Sequence, residues 1–152
     1  MNNFQQIIAS AQKTIHIEQT AIANLSSLID EEFAQAVQAI YNSKGRVVIT
    51  GIGKSAIIAQ KIVATLNSTG TPALFMHAAD AIHGDLGSIL IDDIVICISK
   101  SGNTPEIKVL VPLIKKTENT LIAITANRDS FLGKEADYIL HANTEEEACP
   151  NN

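Results

Sequence analysis

The segment Ser99-Lys100-Ser101-Gly102-Asn103-Thr104-Pro105-Glu106 places three hydroxyl side chains around a glycine, just ahead of a helix-start signal. Thr104 suits an N-cap, Pro105 the first helical position and Glu106 the second. Free amides at a helix start, joined by the hydroxyls of Ser99, Ser101 and Thr104, make a compact cradle for a dianion. Gly102 lets the backbone come close. Hydroxyls and amides hold a phosphate monoester by geometry, with no basic patch required. The plainer reading is a Ser/Thr-rich helix cap without a ligand.

A second chemical segment is Thr50-Gly51-Ile52-Gly53-Lys54-Ser55-Ala56. A Walker A loop needs a glycine where Val48 stands, so that reading fails. A dinucleotide fingerprint is nearer, with Gly51, Gly53 and Ala56 in its three places. However, the next strand candidate ends at Met76-His77, without the acidic residue that would hold a ribose hydroxyl. What remains is a glycine turn at a helix start with Lys54 and Ser55 beside it, or else a tight turn with a solvated lysine. Between the two segments lie Gly70-Thr71-Pro72, His77 and His83-Gly84-Asp85-Leu86-Gly87. Histidine can donate to sugar hydroxyls or move protons near neutral pH. His77, His83 and Asp85 have no fixed metal-ligand spacing, and His83 also reads as a surface-loop histidine. Glu145-Glu146-Glu147 reads as a solvated acidic run, and composition does not choose among its carboxylates.

These residues need a scaffold that gathers strand ends. The strand candidates are Arg46–Thr50, Ala73–His77, Ile94–Ser99, Leu121–Thr125 and Tyr138–His141. Helix candidates lie between them at Ser55–Asn67, Ala78–Ile82, Thr104–Lys116 and Ser130–Glu135. Continuous rather than alternating apolar strands indicate burial on both faces of a parallel sheet. The expected fold is α/β, a three-layer α/β/α sandwich on a five-stranded parallel sheet, and its strand carboxyl ends form the site. Two helices precede it within residues 1–44, as part of the same domain, and the α/β core occupies 45–152. The first carries an apolar stripe of Phe4, Ile7, Ile8, Ala11, Ile15 and Ile17 that suits either the core or association. The second is expected to be capped by Ser26 or Ser27 and to end with Gly45 at C′.

Composition narrows the partners. Eleven basic against 16 acidic residues give a net charge of −5, which disfavours a duplex binder. Six Phe and Tyr residues with no Trp make a base-stacking platform improbable. The start lacks a signal-peptide pattern. Apolar runs such as Ile94–Ser99 fall far short of the roughly 20 residues of a membrane helix. The cysteines, Cys97 and Cys149, form no CxxC pair, and Cys97 reads as a small buried hydrophobe. A cytoplasmic location is expected, with no nucleic-acid or membrane partner.

Taken together, the chain resembles the SIS (sugar isomerase) domain family. The resemblance rests on GxGKS at 51–55, NSTGTPALFMH at 67–77, HGDLG at 83–87, SxSGxTxE at 99–106 and EACP at 147–150. Within that family the combination is similar to that of bacterial arabinose 5-phosphate isomerases. It implies cofactor-free interconversion of D-ribulose 5-phosphate and D-arabinose 5-phosphate through an enediolate, feeding Kdo and lipopolysaccharide synthesis. By motif, Lys54, Glu106 and Glu147 are the catalytic positions, with Glu147 as proton-transfer base and His83 helping Lys54 to handle the carbonyl or hydroxyl protons. Phosphate is expected on Ser99, Ser101, Gly102 and Thr104, with Gly53 and Ser55 nearby; Gly70, Thr71, His77 and His83 line the sugar. No metal is required, although His77 resembles a position that takes inhibitory zinc. The family's pattern continues past Pro150 into a Thr/Ser-rich stretch, a helix and a further histidine, and many members add CBS domains. Neither occurs within these 152 residues. The resemblance also implies a homo-oligomer, dimer or tetramer, with shared active sites. A SIS isomerase for another phosphosugar, or a non-catalytic phosphosugar sensor, are the alternative readings.

Overall fold

A computed structural model describes residues 3–144 and 146–149. Two helices, α1 (Asn3–Leu25) and α2 (Glu31–Asn42), come first, joined by a short 3-10 turn at Ser26–Leu28. The chain then alternates: β1 (Val47–Gly51), α3 (Lys54–Ser68), β2 (Ala73–His77), α4 (Ala78–Ala81), β3 (Ile94–Ile98), α5 (Pro105–Lys116), β4 (Leu121–Thr125), α6 (Phe131–Glu135) and β5 (Tyr138–His141). All five strands run parallel, in the order β2-β1-β3-β4-β5. This is the expected architecture, with boundaries one residue or so from the sequence reading.

Each strand feeds two cores because successive side chains point to opposite faces. Val48, Val95 and Cys97 face Ile107, Leu110, Val111 and Ile114 of α5, together with Ala78 and Ala81 of α4. Val47, Ile49, Ile94, Ile96 and Ile98 face Ala36 of α2 and Ala59 of α3. The central strands β1 and β3 are buried along their whole length. That double burial explains their unbroken β-branched runs. It also pushes the Cys97 thiol up to about 12, so Cys97 behaves as a buried hydrophobe.

Two local expectations are corrected. The cap of α2 is Asp30, whose carboxylate accepts the Phe33 amide at 3.0 Å. Ser26 and Ser27 instead donate their hydroxyls to the carbonyls of Ala23 and Asn24, because α1 runs on to Leu25 and leaves them inside its terminal turn. Gly45 is likewise not a helix C′ residue, since α2 stops at Asn42 with an extended Ser43. Its role is close approach: a Cβ there would lie 2.2 Å from the Asp92 carbonyl oxygen.

Charged side chains fasten the ends. Asp93, 2% exposed, accepts from the Arg46 amide at 2.7 Å, from Arg46 Nη2 at 2.6 Å and from the Leu90 amide at 2.9 Å. Burial opposes the charged carboxyl, but these donors outweigh it and hold the Asp93 pKa below its ordinary value. At the β5 edge of the sheet, Glu32 of α2 accepts the Ile139 amide at 2.7 Å and pairs with Arg128. Thus α2 is built into the sandwich. In contrast, α1 has no buried residue, and Phe4, Ile7, Ile8, Ile15 and Ile22 are all exposed.

Candidate active site

The chain passes from β1 to β2 on one side and returns through β3 on the other, so the order reverses between β1 and β3. The loops after these strands cannot cover each other there, and a crevice opens at their carboxyl ends. A cleft of about 470 Å³ occupies this place, lined by Ile52, Ser55, Ser99, Lys100, Ser101, Thr104 and Ala126. The two segments that carry hydroxyls and glycines therefore meet, although more than 40 residues separate them in sequence.

Local backbone chemistry fixes the cradle. Ser99 is buried, and its Oγ accepts the Gly102 amide at 3.1 Å. Gly102 has φ +65°, and a Cβ there would lie 2.0 Å from Ser130 Oγ. Only glycine fits that conformation against that neighbour. The Lys100 carbonyl accepts from the Ala126 amide at 3.1 Å and from Thr125 Oγ1 at 3.2 Å, tying the loop to the end of β4. His141 Nε2 hydrogen-bonds the Ala126 carbonyl at 3.0 Å, so β5 braces the same rim.

Thr104 stands at the N-cap of α5, as expected, but its hydroxyl makes no capping bond. Its Oγ1 is buried and has no hydrogen-bond partner among the described residues. A buried hydroxyl rarely goes without a partner, and Thr104 lines the cleft. The orphan hydroxyl therefore fits an acceptor placed there. Pro105 and Glu106 occupy the first helical turn, where the dipole favours a carboxylate.

Across the cleft, Gly53 takes φ +58° and turns the chain into α3, whose first residues are Lys54 and Ser55. Glu147 comes from the segment after β5 and pairs with Lys100. The Lys100 ammonium holds the Glu147 carboxyl below the usual carboxylate range, and the Lys54 charge adds to that effect. Lys100 lines the cleft, and through it Glu147 is held at the cleft's rim. Lys100 is a contributor that the sequence reading quoted without a role; its signal was a cation standing between two serines of an anion-type loop.

Other expected residues do not line this cleft. His77 ends β2 beside Phe75, with ring centroids 6.3 Å apart, and its Nδ1 lies 3.8 Å from Asp80 Oδ2, without a hydrogen bond. His83 is exposed in the turn after α4, and among the described residues its imidazole has no hydrogen bond or ion pair. Gly70 and Thr71 are not brought to the cleft. They precede β2 and line a hollow with Tyr41 and Pro72 at the amino end of the sheet. A five-residue strand at roughly 3.3 Å per residue separates them from its carboxyl end. Among the described residues, no group of three or more His, Cys, Asp or Glu is gathered to hold a metal ion. Glu145 and Pro150 lie outside the described residues.

Comparison with known proteins bears on the family and the fold. The family model described as SIS domain matches residues 39–152. The chain belongs to the SIS domain family. A curated relative, arabinose 5-phosphate isomerase KdsD of Pseudomonas aeruginosa, is 47% identical over 154 residues, covering 100% of this chain and 47% of the relative. Among solved structures, the E. coli CFT073 protein c3406 in complex with arabinose 5-phosphate matches with a TM-score of 0.88 and 40% identity, over 99% of this chain and 80% of that one. A Listeria monocytogenes protein matches with a TM-score of 0.93 and 36% identity, over 99% and 79% of the two chains. The SIS chain described here spans under half the length of the curated relatives it matches, at 47%, 42% and 44%. Among the described residues, no helix is long and apolar enough to cross a membrane.

Proposed function

We propose that this SIS domain catalyses the interconversion of D-ribulose 5-phosphate and D-arabinose 5-phosphate, in the cytoplasm, as a supply step for Kdo and lipopolysaccharide synthesis. The observation that carries the reading is one cleft at the strand-order reversal. It is lined by Ser55 and by Ser99, Ser101 and Thr104 of the hydroxyl loop, and Lys100 of that loop pairs with Glu147. The identity to KdsD and the likeness to a chain in complex with arabinose 5-phosphate support the sugar.

The phosphate rests on Ser99, Ser101, Gly102 and Thr104, where the unpartnered Thr104 hydroxyl can donate to it. In the aldose-to-ketose direction, the Glu147 carboxylate removes the C2 proton. The electrons form the C1–C2 double bond, and the carbonyl π pair moves onto O1. Lys54 stabilises that developing oxyanion. O1 then gains a proton as O2 loses one, and the Glu147 carboxylic acid returns its proton to C1, leaving the C2 ketone. Glu106, Gly53 and Ser55 orient the sugar and these groups. His77 and His83 do not line the cleft of the single chain, and their role toward sugar hydroxyls belongs to the site as completed by a neighbouring copy. No cofactor enters these steps, and any zinc at His77 acts as an inhibitor.

The exposed apolar stripe of α1 supports a homo-oligomer, dimer or tetramer, in which neighbouring copies complete each other's site. A panel of pentose, hexose and heptose phosphates, followed by 31P NMR, tests the substrate. The expected result is turnover of the ribulose and arabinose 5-phosphates alone. Faster turnover of a hexose or heptose phosphate would reassign the enzyme.

A further inference from the structure

Lys100 is the cleft residue whose backbone and side chain have opposite freedoms. Its carbonyl is bound twice, by Ala126 and Thr125, and its neighbours Ser99 and Ser101 both turn their hydroxyls onto loop amides. The Cα is therefore fixed between two hydroxyls of the phosphate cradle. Its side chain is 65% exposed, spans to Glu147 and lines the cleft. A lysine carries a compact charge on a flexible stem, so the ammonium can change partner without moving the loop.

Its two partners compete unequally. The Lys100–Glu147 pair is open to solvent on both sides, and ion pairs of that kind are weak. A phosphate dianion on the cradle offers nearly twice the charge and several acceptor oxygens. While Glu147 is paired with Lys100, part of its basicity is consumed by that contact. A proton-transfer base must instead turn its carboxylate to the sugar carbon.

We infer that Lys100 is a positioning residue with two partners, holding Glu147 when no anion lies on the cradle and moving to the phosphate of an arriving sugar phosphate, which frees the carboxylate for the reacting carbon. This rests on the cradle and base assigned under the proposed function and adds to it a reason for phosphate selectivity. A sugar without phosphate lacks the trigger as well as the binding contact. Among the described residues, the charged groups acting on Glu147 are Lys100 and Lys54. Its neighbour Glu146 lines a separate hollow with His16 of α1.

The test follows the Glu147 carboxyl by 13C NMR across a pH titration, with and without inorganic phosphate, and Glu147→Gln assigns the resonance. Wild type, Lys100→Met and Lys100→Arg are compared. Phosphate is expected to raise the Glu147 titration midpoint in wild type and Lys100→Arg at least twofold more than in Lys100→Met. In kinetics, the acidic limb of kcat/KM should lie below that of kcat in wild type, and the gap should shrink at least twofold in Lys100→Met. An equal phosphate effect in wild type and Lys100→Met, or limbs as far apart in Lys100→Met as in wild type, would overturn the inference. Absence of phosphate binding by 31P NMR would overturn both the inference and the cradle. Loss of isomerisation with the NMR response intact would overturn the isomerase reading alone.

Discussion

At the residue scale, the division of labour within the cleft makes two predictions. Glu147→Gln keeps the shape of the side chain but removes the carboxylate proposed as the base, so kcat should fall by about 10²–10⁴-fold while sugar-phosphate binding persists. Ser101→Ala with Thr104→Ala removes two donors to a charged group. At about 1.5 kcal/mol or more for each such bond, binding should weaken by at least ~100-fold. Calorimetry against D-arabinose 5-phosphate, beside single-turnover rates, separates the two variants. The hydroxyl cradle was legible in the sequence because its members are local, all within Ser99–Thr104. The Lys100–Glu147 contact was not legible, because it joins residues 47 positions apart through a segment that follows the last strand. His83 belongs to the site by its motif alone; in the single chain it stands exposed in a turn, without a hydrogen bond or ion pair among the described residues.

At the scale of elements, the site depends on tight joints rather than on the helices' own propensities. Gly102→Ala would drive a methyl into Ser130 at a positive φ, and should cost about 2 kcal/mol or more. For a domain of this size that lowers Tm by roughly 4–8 °C. Calorimetry in the presence of phosphate would show whether the cradle is lost with it. At the base of β1 and β3, Asp93→Asn removes the charge that Arg46 faces in a largely buried pair. A loss of about 3 kcal/mol is expected, toward the lower end for such pairs because Arg46 is partly exposed. The pH signature follows from the lowered Asp93 pKa. Its stabilisation is fully present above the ordinary aspartate value of about 3.9 and disappears as pH falls through the lower folded value. Asp93→Asn should therefore flatten the loss of stability below about pH 4, as read from chemical denaturation at several pH values. A steeper loss would contradict the assignment. Strand positions were legible because burial on both faces leaves long β-branched runs. The Asp30 cap was less so, because three serine and aspartate candidates stand within five residues and only the end of α1 decides among them.

At the scale of the molecule, a parallel sheet in the order β2-β1-β3-β4-β5 places one crevice at the reversal and converges two distant loops on it. That topology also explains why Gly70 and Thr71, although inside a motif, lie at the other end of the sheet from Ser99 and Ser101. The sandwich leaves α1 unburied, with Ile8 and Ile15 at 57% and 63% exposure. If that stripe joins copies of the chain, Ile8→Glu with Ile15→Glu should lower the mass measured by light scattering while leaving the melting of the sandwich within a few degrees. An unchanged mass would contradict the role given to α1. The proposed proton transfer between C1 and C2 of a pentose 5-phosphate is tested by incubating the chain with D-ribulose 5-phosphate in D2O. D-arabinose 5-phosphate should form carrying deuterium at C2, with exchange at C1 of the ribulose 5-phosphate. Saturable binding with neither isomerisation nor exchange would contradict it.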